Sequence, residues 1–208
     1  TPTPTPISTP QASVVATADT DIATKSGVPY ATSNGTSNYV RVGYTNYAAG
    51  RFRGLLLFDL GASGMNIPSN ATIDMCDLSV TRDTSHSVDG DIPLYVYDVT
   101  NTGWNETDTT WEKKTSSVNW TTAGLGNADR DPTPVASSWQ PKYDPQVNVL
   151  SACRDAVANH SGALNLELAA NQELCCWGGT DIYSRNWSTT SQRPMIKAAW
   201  RPATPTVT

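Results

Sequence analysis

Apolar residues in this chain recur at every second position, or in short runs closed off by Gly, Pro, Asn, Asp and Ser, and a chain patterned this way buries its side chains as strands. Nine stretches qualify: Ser13 to Ala18, Tyr39 to Val42, Leu55 to Leu60, Ile73 to Val80, Leu94 to Val99, Val147 to Leu150, Leu164 to Leu168, Ile182 to Arg185 and Met195 to Trp200. Alternation is cleanest in Leu164, Leu166 and Leu168, and in Cys76, Leu78 and Val80, each set sharing one face. Only Leu150 to Ala158, with Cys153 and Val157 one turn apart, has helical spacing. No strand-helix-strand alternation occurs, so the expected fold is all-β: an antiparallel β-sandwich, or jelly roll, of about ten strands with one short helical segment.

The two ends are built differently. Residues 1–12, which open TPTPTPISTP, form a Thr/Pro-rich extended segment, residues 13–201 read as a single domain, and residues 202–208 repeat the Thr/Pro theme as a tail. Such segments are typical of O-glycosylated linkers, which makes Thr1, Thr3 and Thr5 expected attachment points. The chain starts at Thr1 with no basic and apolar leader, which we read as removal of a signal peptide or excision from a longer protein.

Cysteine usage points the same way. Cys76, Cys153, Cys175 and Cys176 are even in number, and only His86 and His160 accompany them, at no metal-ligand spacing, so two disulfides are expected and no structural metal. Three pairings are open. Cys175 and Cys176 are adjacent; on a strand they face opposite sides, and each is expected to bond a different partner. Disulfides imply an extracellular, secreted or cell-surface setting.

Six N-x-S/T sequons begin at Asn34, Asn70, Asn105, Asn119, Asn159 and Asn186. Ser and Thr supply about a quarter of the residues, so chance accounts for about three of them. Their turn-like settings favour covalent glycans on most.

The net charge of -5 disfavours a phosphate backbone as partner, and no apolar run approaches the length of a membrane span, so neither nucleic acid nor membrane insertion is expected. Nucleophile elbows, zinc-protease helices and phosphate loops are missing from the sequence. His86 and His160 read as solvated loop residues, and Glu106, Glu112, Glu167 and Glu173 show no pairing that would mark a glycosidase. No enzymatic activity and no cofactor is expected. Asp89 with Asp91, Asp129 with Asp131, and Asp19 with Asp21 could offer loop oxygens to Ca²⁺, without a recognisable loop motif that would assign one.

Seven tryptophans need placing. Trp111 and Trp200 lie in strand-like stretches and are expected in the core, while Trp104, Trp120 and Trp187 sit in or beside sequons. Trp139 and Trp177, in loop-like surroundings, are the rings best suited to stacking on a sugar.

The order of segments resembles the DNRLRE domain family. The resemblance runs through Asn38-Tyr-Val-Arg-Val-Gly43, Arg51-Phe-Arg-Gly-Leu-Leu-Leu-Phe-Asp-Leu60, Ala71-Thr-Ile, Leu78-Ser-Val, Val96-Tyr-Asp-Val, Trp104-Asn-Glu-Thr-Asp-Thr-Thr-Trp111, Ile182-Tyr-Ser-Arg-Asn186 and Arg193-Pro-Met-Ile. It implies a jelly-roll module of a secreted or surface protein, related to carbohydrate-binding modules. In the Trp104 block two aromatics flank Thr-rich turns, an arrangement that pins a long loop to a sandwich, with Glu106 placed to accept backbone N–H groups.

Two functions follow. The first is a structural subunit of an extracellular filament or surface assembly, linked head to tail to copies of itself through an N-terminal segment in which Ile7, Val14 and Val15 dock on the next subunit's sheet. The alternative is a carbohydrate-binding module of a larger secreted protein, holding a polysaccharide on Trp139 and Trp177.

Overall fold

A computed structural model describes residues 9–25, 28–45, 50–84, 92–171 and 178–202. These residues form twelve strands and one α-helix: β1 (Gln11–Val15), β2 (Ala18–Lys25), β3 (Val28–Pro29), β4 (Tyr39–Thr45), β5 (Gly50–Asp59), β6 (Thr72–Ser79), β7 (Leu94–Asp98), β8 (Ala136–Trp139), β9 (Gln146–Asn148), α1 (Leu150–Asn159), β10 (Ala163–Ala170), β11 (Gly178–Tyr183) and β12 (Met195–Arg201). The smaller sheet runs β1-β12-β6-β9, and the larger runs β11-β4-β5-β10-β7-β8 with β2 lying along β5 and β3 beside β2. Every strand pairing is antiparallel, as the expected sandwich requires.

Alternation builds the space between the sheets. Leu56 and Phe58 of β5, Leu164, Leu166 and Leu168 of β10, Leu94 and Val96 of β7, Cys76 and Leu78 of β6, and Ile196 and Ala198 of β12 meet in one apolar cluster. The sheets also join along one side. Tyr183 N–H donates to Thr81 O at 3.0 Å and Asp83 N–H to Asp181 O at 2.8 Å, carrying the hydrogen bonding past the end of β6 onto β11.

Helix α1 buries Ala152, Cys153, Ala156 and Val157, the face given by its spacing, and Arg154 clamps it to β6 by donating to Ile73 O at 3.0 and 2.8 Å. Gly162, at φ +88°, turns the chain out of the helix into β10, and its N–H donates to Ala156 O at 2.8 Å. A Cβ there would meet Gly61 N at 2.3 Å.

Strand β2 escapes the sequence pattern. Its Asp19, Thr20 and Asp21 are buried although polar, because the backbone pairs with β5 from Ala18 opposite Leu57 to Ala23 opposite Phe52. The expected strand from Ser13 to Ala18 is in fact the end of β1 and the start of β2, broken at Ala16 and Thr17 where the chain crosses between sheets. Strand β1 also begins at Gln11, so the fold takes in residues 11 and 12 of the expected extended tail.

Candidate functional site

Between β7 and β8 the chain runs through residues 99–135 without a strand, and this segment covers part of the larger sheet's outer face. Trp104, Trp111, Trp120 and Leu125 pack there on Leu55 and Ile22, forming a second, smaller apolar cluster. Polar ties hold the cap in register. Trp104 Nε1 donates to Asn165 Oδ1 at 2.9 Å, and Trp120 Nε1 to Thr110 O at 3.1 Å. The buried Asp129 carboxylate accepts from Asn101 Nδ2, Thr121 N and Thr122 N at 2.6, 2.9 and 2.7 Å. Burial alone raises an acid's pKa; here those donors outweigh it and hold Asp129 below the usual range. Gly124 admits the ring of Trp111, since a Cβ would lie 2.4 Å from Cζ2.

The Trp104 block is therefore a pin, as expected, and Trp104 and Trp120 are too buried to pack on glycans. Glu106 differs from expectation: its carboxylate takes the Arg185 guanidinium, with Nε at 2.8 and 2.9 Å and Nη2 at 2.6 Å, in place of backbone N–H groups. Neighbouring Asp19 accepts Arg185 N–H, and burial lifts its pKa to about 7.

Where the cap stops, a groove of about 280 Å³ opens on the same face. Its lining includes Arg51 and Arg53 of β5, Tyr95 and Tyr97 of β7, Ala169 and Ala170 of β10, and Arg130 from the cap. Beneath it Glu167 is wholly buried, with Arg130 Nη1 at 2.7 Å and Arg53 Nη1 at 3.4 Å. The Arg130 guanidinium lies 3.5 Å above the Tyr97 ring, and Tyr95 meets Tyr97 edge to face at 6.1 Å. Arg53 also donates to Gly124 O and sits 5.2 Å from the Trp111 ring, bridging cap and groove. Sequence reasoning missed this site. Arg51 and Arg53 were legible as an arginine pair spaced to share a strand face, but Arg130 is about 80 residues away and carries no local signal.

The residues singled out in the sequence are scattered over the fold. Cys76 and Cys153 form a disulfide. This corrects the expectation that Cys175 and Cys176 each bond a different one of the other two, because Cys76 and Cys153 satisfy each other; positions 175 and 176 lie outside the described residues. So do Thr1, Thr3, Thr5, Ile7, His86, Asp89, Asp91, Glu173 and Trp177. Trp139 is corrected as a sugar platform: it is 5% exposed, belongs to the main core, and donates from Nε1 to Asp144 O at 2.8 Å, so no ring face is open. A shallow groove beside it instead exposes Tyr143.

The sequons divide by what their amides do. Asn70 and Asn119 are exposed. Asn159 is exposed too, with Nδ2 donating to Asp155 Oδ1 at 2.7 Å on the helix surface. Asn34 Nδ2 donates to the buried Asp21 carboxylate, Asn105 Nδ2 to Asp108 Oδ2 at 3.0 Å, and Asn186 Nδ2 to both Gly35 O and Ser37 O at 2.9 and 3.3 Å. A glycan replaces one hydrogen of that amide, so Asn186 cannot carry one and keep both bonds.

Among the described residues no three His, Cys, Asp or Glu side chains gather as metal ligands. Asp129 and Asp131 accept protein N–H groups, and Asp21 faces Asn34 and Arg41. His160 pairs with Asp155 at 2.9 Å.

Val14 and Val15 lie on strand β1, which pairs with β12 of its own chain from Gln11 opposite Ala199 to Val15 opposite Met195. Val14 packs on the main core and Val15 is 39% exposed. No helix among the described residues is long and apolar enough to cross a membrane.

No protein-family model matches the chain, and no curated protein matches it in sequence. The likeness to DNRLRE domains accordingly rests on the quoted segments alone.

Proposed function

We propose that this protein is a non-enzymatic extracellular structural subunit of a filament or surface assembly, linked head to tail by donation of its N-terminal strand. The observation that carries the reading is the position of β1. It is an edge strand, its described ladder is to β12 alone, and two residues, Ala16 and Thr17, join it to β2 in the other sheet. A terminal edge strand on a short hinge is the element most readily exchanged between copies, because the same β12 edge and the same pockets exist on every copy. The exchange is isoenergetic in contacts, and where it runs head to tail it does not close. The Thr/Pro-rich stretch before β1 gives the donated strand a stiff lead, and the disulfide fits an oxidising, extracellular setting.

The test is removal of residues 1–15. The truncated chain is expected to stay folded by circular dichroism and to be monomeric, whereas the full chain at high concentration forms filaments under the electron microscope. A peptide spanning residues 7–18 should then bind the truncated chain. Filaments that persist without residues 1–15, or a full chain that remains monomeric throughout, overturn the proposal.

A further inference from the structure

We infer that Lys114 and Asn101 form an intramolecular isopeptide bond, the lysine amine displacing the amide nitrogen of the asparagine side chain with Asp129 as the acid-base group. The bond lies within the cap over the larger sheet and does not depend on assembly through β1.

The first argument is alignment. Lys114 Nζ donates to Asn101 Oδ1 at 2.7 Å and to Thr102 O at 2.9 Å, while Asn101 Nδ2 donates to Asp129 Oδ1 at 2.6 Å. Amine, amide and carboxylate therefore stand in a row. The order is fixed chemically, because an ammonium only donates and must meet the amide oxygen, whereas a carboxylate only accepts and must meet the nitrogen. With a C=O bond of about 1.2 Å beyond that oxygen, Nζ lies within about 4 Å of Cγ, a small side-chain movement from attack.

The second argument is that all three groups are held. Asn101 N–H donates to Asp129 O at 2.9 Å, Lys114 N–H donates to Val118 O at 2.8 Å, and Lys114 O accepts from Thr109 Oγ1 at 2.7 Å. Asp129 is wholly buried and takes Thr121 N and Thr122 N besides the amide. Fixed positions of this kind let two side chains react that are inert toward each other in free solution.

The third argument is charge. Among the described residues Lys114 makes no ion pair, and its ammonium rests on two neutral oxygens. The acid at hand, Asp129, is turned to the amide nitrogen instead, where a leaving group needs a proton.

The step balances without a co-reactant. Nζ bonds to Asn101 Cγ, the Cγ–Nδ2 bond breaks, and Nδ2 leaves as ammonium carrying the two protons that the lysine ammonium gives up. Once bonded, Nζ and Nδ2 share one carbon, so the Asp129 oxygen that holds Nδ2 takes a proton from the first and returns it to the second. No atom changes oxidation state. The bond closes residues 101–114, which carry Trp104 and Trp111, and so locks a part of the cap that has no strand to hold it.

The test is the mass of the full chain, purified from a host that adds no glycans and measured after reduction of its disulfides. The expected mass is about 17 Da below the value calculated from the sequence, lighter by one ammonia. Trypsin should leave residues 83–113 and 114–130 joined as one branched fragment after cleavage at Lys113, with fragment ions placing the link on Asn101 and Lys114. Lys114→Arg keeps a donor for Asn101 Oδ1 but lacks the nucleophilic amine, and it should show its full calculated mass with an unchanged circular dichroism spectrum. Asp129→Asn should form the link at least about tenfold more slowly after refolding. An unshifted wild-type mass, a loss of ammonia that persists in Lys114→Arg and so belongs to a cyclised asparagine, or linkage at the wild-type rate in Asp129→Asn overturns the inference.

Discussion

Cys76 of β6 and Cys153 of α1 are covalently joined with their Cα atoms 6.5 Å apart, so the helix is tied to the strand on which it packs. The bond closes 77 residues of chain, and cross-linking a loop of that length is worth about 4 kcal/mol through the unfolded state. The double variant Cys76→Ala with Cys153→Ala should lose that much in urea unfolding. A loss under about 1 kcal/mol would show that apolar packing and the Arg154 clamp hold the helix by themselves.

Glu167 is wholly buried and holds both Arg130 and Arg53 at the cap boundary, and Glu167→Ala would remove the carboxylate that these two guanidinium groups share. Removing one partner of a buried pair costs about 3–5 kcal/mol, to be read from chemical denaturation. Glu167→Leu should recover part of the loss only if combined with Arg130→Met, since an apolar residue does not compensate a charge left behind.

Stability should decline as pH rises from about 4 to 7. Burial lifts Asp19 to about 7 and Asp98 to about 6, so between the ordinary carboxylate range and these values the folded chain holds more protons than the unfolded one. Their stabilising contribution is complete below the unfolded pKa and is lost as pH passes the folded one. Asp129 acts oppositely, its contribution vanishing as pH falls through its lowered pKa. The thermal midpoint should therefore peak near pH 4–5, about where these opposing slopes meet, and Asp19→Asn should flatten the neutral limb.

Trp139→Ala should act on stability. Its ring fills the end of the main core beside Leu94, its partner across β7 and β8, and emptying a site of that size costs about 3–5 kcal/mol.

Expressed in a host that N-glycosylates, the chain should carry glycans at Asn70 and Asn119 and none at Asn186. Site-resolved mass spectrometry reads this directly. Asn186→Ala should cost about 1 kcal/mol by taking the amide donor from Gly35 O, while Ser37 O keeps Ser184 Oγ at 2.7 Å.

What the sequence determined by itself is the part of the fold that period-two patterning controls. Leu164, Leu166 and Leu168 declare a strand and its buried face because each side chain reports its own side of the sheet, and Leu150 to Ala158 declares a helix for the same local reason. Strand β2 stayed hidden, since Asp19, Thr20 and Asp21 lie on a strand for the sake of backbone pairing with β5, and the two carboxylates are satisfied by residues far along the chain. Tertiary structure alone decided that Cys76 takes Cys153, that Trp139 turns inward, and that Asn186 spends its amide on two carbonyls. The groove belongs to the same class. Arg53, Arg130 and Glu167 are separated by dozens of residues, and only the packing of a capped sheet brings their charges within ion-pair distance.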